Sequence, residues 1–377
     1  MNILTEQFPL DTNILYLNHA AVGVWPRRTA EVVKAFADEN MRQGATDYPQ
    51  WMKVERELRG RLQNLLGAAS ADDIALTKNT SEALSLIAYG LDWQAGDQIV
   101  SSDQEFPSNR MVWESLQSKG VELRLADVSG HDPEAALMAC CDDKTRLLTV
   151  SSVQYGTGLR MDLKRLGEYC HAHGILFCVD AIQSLGALYF DALVCQADFV
   201  VADGHKWMLG PEGLAVFYSR PEARAQLTLL QYGWHMVERV GDFDASDWTA
   251  AVSARCFEPG SPNMLGIHAL NASISVLEDI GMATVENQIL TKVGEIMDWV
   301  DANDNLALIT PAEAGRYAGI VTFRHRRLDH AGHAGVYRSL MQAGLICAHR
   351  AGGIRFSPHV YSDLSTLDRI WTQVVEG

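Results

Sequence analysis

Six apolar runs in the middle of the chain constrain the fold most: Gln98–Ser102, Val121–Leu125, Arg146–Ser151, Ile175–Asp180, Phe199–Ala202 and Gly213–Tyr218. Most are continuously apolar rather than alternating, so both faces of those strands are built for burial. Helix-like segments separate them, for example the periodic stretch Asp162 to His173. This alternation predicts an α/β chain around a mostly parallel sheet covered on both sides. In such sheets, ligands sit at the carboxyl ends of the strands.

The 377 residues allow two or three domains at roughly 150 residues each. Residues Phe257 to Asn263 (Phe-Glu-Pro-Gly-Ser-Pro-Asn) read as a turn-rich boundary. A long amphipathic stretch follows, from about Leu265 to Ile280, and then a smaller α+β region with strands expected at Gly319–Phe323 and Gly353–Phe356. The expected division is an N-terminal segment over 1–25 that packs with the small domain, a large domain over 26–265 and a small C-terminal domain over 266–377. A formal net charge of -16 argues against nucleic acid and anionic membrane surfaces as partners. No segment approaches the roughly 20 apolar residues of a membrane span. Met1 to Asn18 lacks the basic start and apolar run of a signal peptide. Seven cysteines without a Cys-x-x-Cys pair indicate reduced thiols, so a cytoplasmic location is expected.

Two of the runs end in residues that carry chemistry. One closes on Asp180, and another is followed by Asp203-Gly204-His205-Lys206-Trp207. Lysine is almost never fully buried unpaired, so Lys206 at the exit of a buried strand needs a reason. A Schiff base with a carbonyl cofactor is such a reason. Pyridoxal 5'-phosphate (PLP) requires a lysine and an acidic partner for its pyridinium nitrogen. Lys206 and Asp180 supply that pair.

Asn79-Thr80-Ser81-Glu82 reads as a helix start, with Asn79 as cap and Glu82 at the capping-box position. The free amides and small hydroxyls there suit a phosphate, although an ordinary capped helix has the same signature. His325, His330 and His333 sit among Arg324, Arg326 and Arg327, which disfavour a cation, so a solvated helix face is expected rather than a metal site. Gly156-Thr157-Gly158 lacks the full glycine fingerprint of a dinucleotide site.

Asn79-Thr80-Ser81-Glu82-Ala83, Glu105-Phe106-Pro107-Ser108-Asn109, Asp180-Ala181-Ile182-Gln183 and Gly204-His205-Lys206 occur in the order and rough spacing of class V aminotransferases. Phe257 to Asn263 and Gly353 to Pro358 extend the match. The chain thus resembles the fold-type I PLP group that also holds the cysteine desulfurases, from Leu17-Asn18-His19-Ala20-Ala21 to Tyr361. The resemblance implies a large domain with a mostly parallel seven-stranded sheet, a small α+β domain, and a homodimer with its active site at the interface. It also implies roles. Lys206 would be the Schiff-base lysine and proton shuttle, Asp180 would hold the pyridinium, and Gln183 would bond the ring hydroxyl. Thr80, Ser81 and His205 would hold the phosphate, and Phe106 would stack on the ring. Ser261 would reach the phosphate in the partner subunit. Arg355 would grip the substrate carboxylate, with Arg350 as a second candidate.

Departures from the desulfurase pattern bear on the reaction. Phe106 stands where those enzymes stack a histidine, and it cannot carry a proton. Their nucleophilic cysteine lies on a loop before the carboxylate-binding arginine. Here only Ala351-Gly352-Gly353-Ile354 separates Arg350 from Arg355, and Cys347 precedes both in an apolar segment. Cys347 reads as a buried core thiol. Val153 replaces a polar residue near the ring hydroxyl, and Gln154 either compensates or points elsewhere. Asp203 stands where relatives often have serine. Trp113, Tyr155, Trp234 and His235 could line the pocket, but each also reads as core or surface. The reading is an enzyme of aminotransferase type acting on an amino acid. A cysteine-independent β-lyase that cleaves C–S bonds and an amino-acid epimerase are the alternatives. A non-catalytic binding protein conflicts with the intact Lys206, Asp180, Gln183 and Arg355 set.

Overall fold

The computed structural model describes residues 3–376. A seven-stranded sheet forms its centre: Ile74–Thr77 (β1), Gln98–Ser102 (β2), Glu122–Ala126 (β3), Thr145–Ser151 (β4), Leu176–Asp180 (β5), Phe199–Asp203 (β6) and Ala215–Ser219 (β7). Its spatial order is β1-β7-β6-β5-β4-β2-β3. The run from β6 through β3 is parallel, and β7 runs antiparallel to both β6 and β1. Phe177 and Val179 enter the core on one face, with Val200 and Ala202 beside them. Cys178, Phe199 and Val201 enter the core on the other. Burial on both faces is why these strands read as unbroken apolar runs.

The helix Met264–Ile280 is buried along most of its circumference, through Ile267, Leu270, Ile274 and Leu277. Leu265, His268, Asn271, Ser275, Glu278 and Asp279 form its less buried stripe, the amphipathic pattern expected, and helices Arg27–Gln43 and Tyr48–Leu66 pack against it. The expected division near residue 265 falls in its first turn. By its packing, the helix sides with the large sheet.

A four-stranded antiparallel sheet follows, formed by Leu306–Leu308 (β8), Val321–His325 (β9), Ala348–Arg350 (β10) and Gly353–Phe356 (β11) in the order β10-β11-β9-β8. Helices Met282–Asp301 and His330–Gln342 accompany it. Leu15 and Leu17 share its core with Phe323, Phe356 and Trp371. Leu15–Tyr16 pairs with Leu345–Ile346, so the N-terminal segment is stitched to this domain. No helix among the described residues is long and apolar enough to cross a membrane.

Candidate active site

The carboxyl ends of β5 and β6 open on a cavity of about 300 Å³. Asp180 and Lys206 both line it, together with Thr80, Ser81, Phe106, His205, Arg350 and Arg355. Strand exit, helix start and small-domain sheet meet there, residues far apart in the chain.

Lys206 follows β6 and is 8% exposed. Burial pushes its ammonium down from the usual lysine range, opposed by Asp180 and assisted by Arg355. A lowered lysine is a better nucleophile and base near neutrality. The loop that carries it is over-determined. Gly23 N–H donates to His205 O at 2.6 Å, and a Cβ at Gly23 would lie 2.1 Å from Lys206 O, so only glycine fits. Leu209, three residues on, adopts a left-handed φ of 59°. Such a backbone costs a leucine about 1 kcal/mol or more. Ser273 Oγ donates to its carbonyl at 2.8 Å and holds it there.

Asp180 is buried and accepts Ile182 N–H at 3.0 Å. Burial raises its carboxyl above the usual carboxylate range; the Ile182 N–H lowers it, and Glu105 adds to the rise. Lys206 Nζ lies 5.6 Å from the Phe106 ring centroid, and Phe106 meets Tyr155 edge-on at 5.1 Å. Phe106 is 42% exposed and forms the open wall, with Ile182 also in the lining.

The helix Thr80–Gly90 starts at the cavity, capped by Asn79, whose side chain accepts Glu82 N–H at 2.9 Å. Glu82 Oε2 accepts from Lys78 N–H rather than from Asn79 N–H, one residue beyond the expected capping box. Thr80 Oγ1 accepts Asp203 N–H at 3.1 Å, and Ser81 Oγ donates to Ser108 Oγ at 2.9 Å. Asp203 Oδ1 lies 3.0 Å from His205 Nδ1 beside the helix start.

Arg355 comes from β11 and is 2% exposed. Its Nη1 donates to Tyr155 O at 2.8 Å, while its buried Nε has no partner. Burial first, then Arg350, pushes its guanidinium down to about 10. Arg350, Tyr155 and Cys347 bear on it, and among the described residues no carboxylate forms an ion pair with it. A buried, unpaired guanidinium facing a cavity is a receptor for an anion brought from outside. Arg350 is exposed on the same side, with Nη1 on His349 O.

Two expected residues lie elsewhere. Gln183 sits behind the wall, where its Nε2 donates to Ala20 O at 3.1 Å and its Oε1 accepts from Trp207 Nε1 at 2.8 Å. One Nε2 hydrogen remains for another acceptor. Ser261 is exposed and lines a separate cavity with Lys78, Glu258 and Asn263. Gln154 points away from the cavity, into bonds with Ser102 and Glu105, and Val153 is core. Tyr155 alone of the four candidate pocket aromatics lines this cavity; Trp113 is buried core and Trp234 lies on another surface hollow. Ala20, Ala21 and Ser108 also line it; they lie in the matching segments, where the resemblance assigns them no role. The expected solvated histidine face is corrected at His333, which is buried and accepts His325 N–H at 2.9 Å. The hairpin between β10 and β11 is the turn Ala351-Gly352, with no cysteine. Cys347 is buried, and burial pushes its thiol up to about 12.

These residues fit PLP: a lysine at the strand exit, an acid beside it, an aromatic wall, and a capped helix start with hydroxyls for the phosphate. Fold and site together define a PLP-dependent enzyme of fold-type I. The Aminotransferase class-V family model matches residues 15–370, and the chain belongs to that family. A probable cysteine desulfurase of Methanothermobacter thermautotrophicus is 29% identical over 95% of this chain and 93% of its own length. Among solved structures, a C-DES mutant with glycine covalently linked to the PLP cofactor superposes with a TM-score of 0.90 at 20% identity, covering 98% of each chain. The cystine C-S lyase C-DES in complex with its product cysteine persulfide gives 0.89 at 21%, covering 98% of this chain and 99% of its own.

Proposed function

We propose that this protein is a cysteine-independent C–S β-lyase acting on a small sulfur-containing amino acid. The observation that carries the amino-acid assignment is the unpaired Arg355 guanidinium in the same cavity as Lys206 and Asp180. Arg355 binds the substrate carboxylate and thereby presents the α-carbon to Lys206. Asp180 holds a proton on the ring nitrogen, Thr80, Ser81 and His205 hold the phosphate, and Phe106 covers one ring face. Bound PLP supplies the electron sink that makes the α-proton acidic. Lys206 takes that proton, and the Cβ–S bond breaks with its electrons on sulfur. A thiolate or persulfide leaves readily, so no further acid is required. The two-residue hairpin Ala351-Gly352 supports release without a cysteine relay, and the names of the relatives support C–S chemistry.

Transamination is the second reading. Phe106 carries no proton, so Lys206 has to move every proton on its side of the ring. A single lysine that both removes and returns a proton on one face suits transamination. Epimerisation has less support, because it needs a donor on each face. The protein is further proposed to act as a cytoplasmic homodimer, with the partner subunit's Ser261 at the phosphate.

The test is product analysis of the PLP-loaded protein with L-cystine, L-cysteine, and L-alanine plus a 2-oxo acid. Steady pyruvate and ammonia from the sulfur amino acids support the lyase. A keto acid with the aminated cofactor, and no pyruvate from cystine or cysteine, would replace it with the aminotransferase.

A further inference from the structure

Glu105 places a buried carboxylate at the rim of the site, at the carboxyl ends of β2 and β4. Its Oε1 accepts from Ser151 N–H at 2.9 Å, Gln154 Nε2 at 2.7 Å and Ser102 Oγ at 3.1 Å. Its Oε2 accepts from Asn109 Nδ2 at 2.9 Å and Ser151 Oγ at 2.5 Å. Five donors converge on it, and none is a cation. Burying a carboxylate without a counter-ion is costly, and only such a donor shell makes it tolerable. Packing alone does not call for a charge here. A glutamine at 105 would turn an amide NH2 toward donors.

The carboxylate acts in two directions. Phe106 is the next residue in the chain, and Asn109 opens the helix Ser108–Glu114. Asn109 Oδ1 is itself fixed by Trp113 Nε1 at 3.0 Å and Thr149 Oγ1 at 2.8 Å. Glu105 therefore pins both sides of the Phe106 turn to the sheet. In the other direction, Ser151 is the register partner of Asp180 on the neighbouring strand. The charge of Glu105 stands behind Asp180 and makes its carboxyl more basic. The other ionisable groups bearing on the pair are Asp203 on Asp180, and Asp203, Arg350 and Arg355 on Lys206.

We propose that Glu105 is a positioning residue of the cofactor site: it fixes Phe106 over the ring and sets a second negative charge behind Asp180, which keeps the ring nitrogen protonated. The proposal rests on PLP at Lys206.

The experiment compares wild type, Glu105→Gln and Asn109→Ala, each loaded with PLP. It reads visible absorption and circular dichroism across roughly pH 5 to 9, the PLP dissociation constant, and thermal stability. For Glu105→Gln, the midpoint of the visible-band titration falls by about half to one pH unit, and PLP dissociates about tenfold more easily. Asn109→Ala keeps the charge and loosens the turn, so its visible dichroism weakens while the titration midpoint stays in place. Wild-type midpoint, affinity and dichroism in Glu105→Gln, with only thermal stability lowered, would overturn the proposal. If Glu105→Gln does not fold, unchanged dichroism in Asn109→Ala overturns it. A wild type with no visible band overturns the cofactor assignment instead, and this proposal with it.

Discussion

Arg355 Nη1 donates to the main-chain oxygen of Tyr155 at 2.8 Å, tying the small domain's sheet to the loop after β4 of the large one. The bond aims the guanidinium into the cavity of Lys206 while leaving Nε free. A guanidinium carried by the small sheet is thereby held at the mouth of the large sheet.

Replacing Arg355 separates stability from function. Arg355→Met removes a buried charge with no counter-ion, so thermal stability of the unliganded protein stays level or rises. Activity on an amino acid falls about a hundredfold or more, mostly through KM, because a charge-assisted bidentate grip is lost. Arg355→Lys recovers little, since an ammonium cannot reproduce the fork. Melting curves and steady-state kinetics on the same preparations check both halves.

Acid destabilises the protein through His19. This ring is fully buried, bonded to Ser357 O at 2.9 Å and Tyr361 Oη at 2.5 Å. Burial pushes it down from 6.5 to about 4. The unfolded chain therefore binds a proton between those values that the native state refuses, and stability falls as pH drops through that window. The loss from His19 approaches about 3 kcal/mol once pH is near 4. Buried His359, lowered well below its ordinary value, acts in the same direction. Urea midpoints measured at intervals from neutral to acid pH should show this slope, and His19→Asn should flatten it.

Cysteine alkylation leaves the chemistry intact. Cys347 is buried and its thiol is raised, so it is not a thiolate near neutrality. Cys347→Ser should retain activity within about threefold, the size of a minor packing change. Iodoacetamide treatment of the native protein should leave turnover in place. A loss of about a thousandfold in Cys347→Ser would restore a cysteine-relay mechanism.

The sequence exposes the parts of this fold that are buried on both faces. β2, β4, β5 and β6 read as apolar runs because neither side meets water. β1 was not legible, since its four residues lie between Asp72-Asp73 and Lys78 and merge into the helix start. The antiparallel direction of β7 has no signature either, because an apolar run has no polarity. β8 and β10 are three-residue strands with half-exposed or polar side chains and give no period. In the site, Lys206 and Asp180 follow from where strands end. Thr80 follows from the capped helix start, Arg355 and His205 from the resemblance, and the fold brings them to one cavity. The placement of Gln183 behind the wall depends on Trp207 and Ala20, contacts made 24 and 163 residues away. The Glu105 shell draws on three separate segments, so residue types alone could not announce it.

The central claim is that Lys206 carries the cofactor, and the absorption spectrum of purified protein tests it most directly. Wild type incubated with PLP should show a band near roughly 410–430 nm that Lys206→Ala lacks. Adding the substrate amino acid should then perturb the wild-type band. A wild type that stays colourless after incubation with PLP, or a Lys206→Ala variant with the same band, would contradict the account.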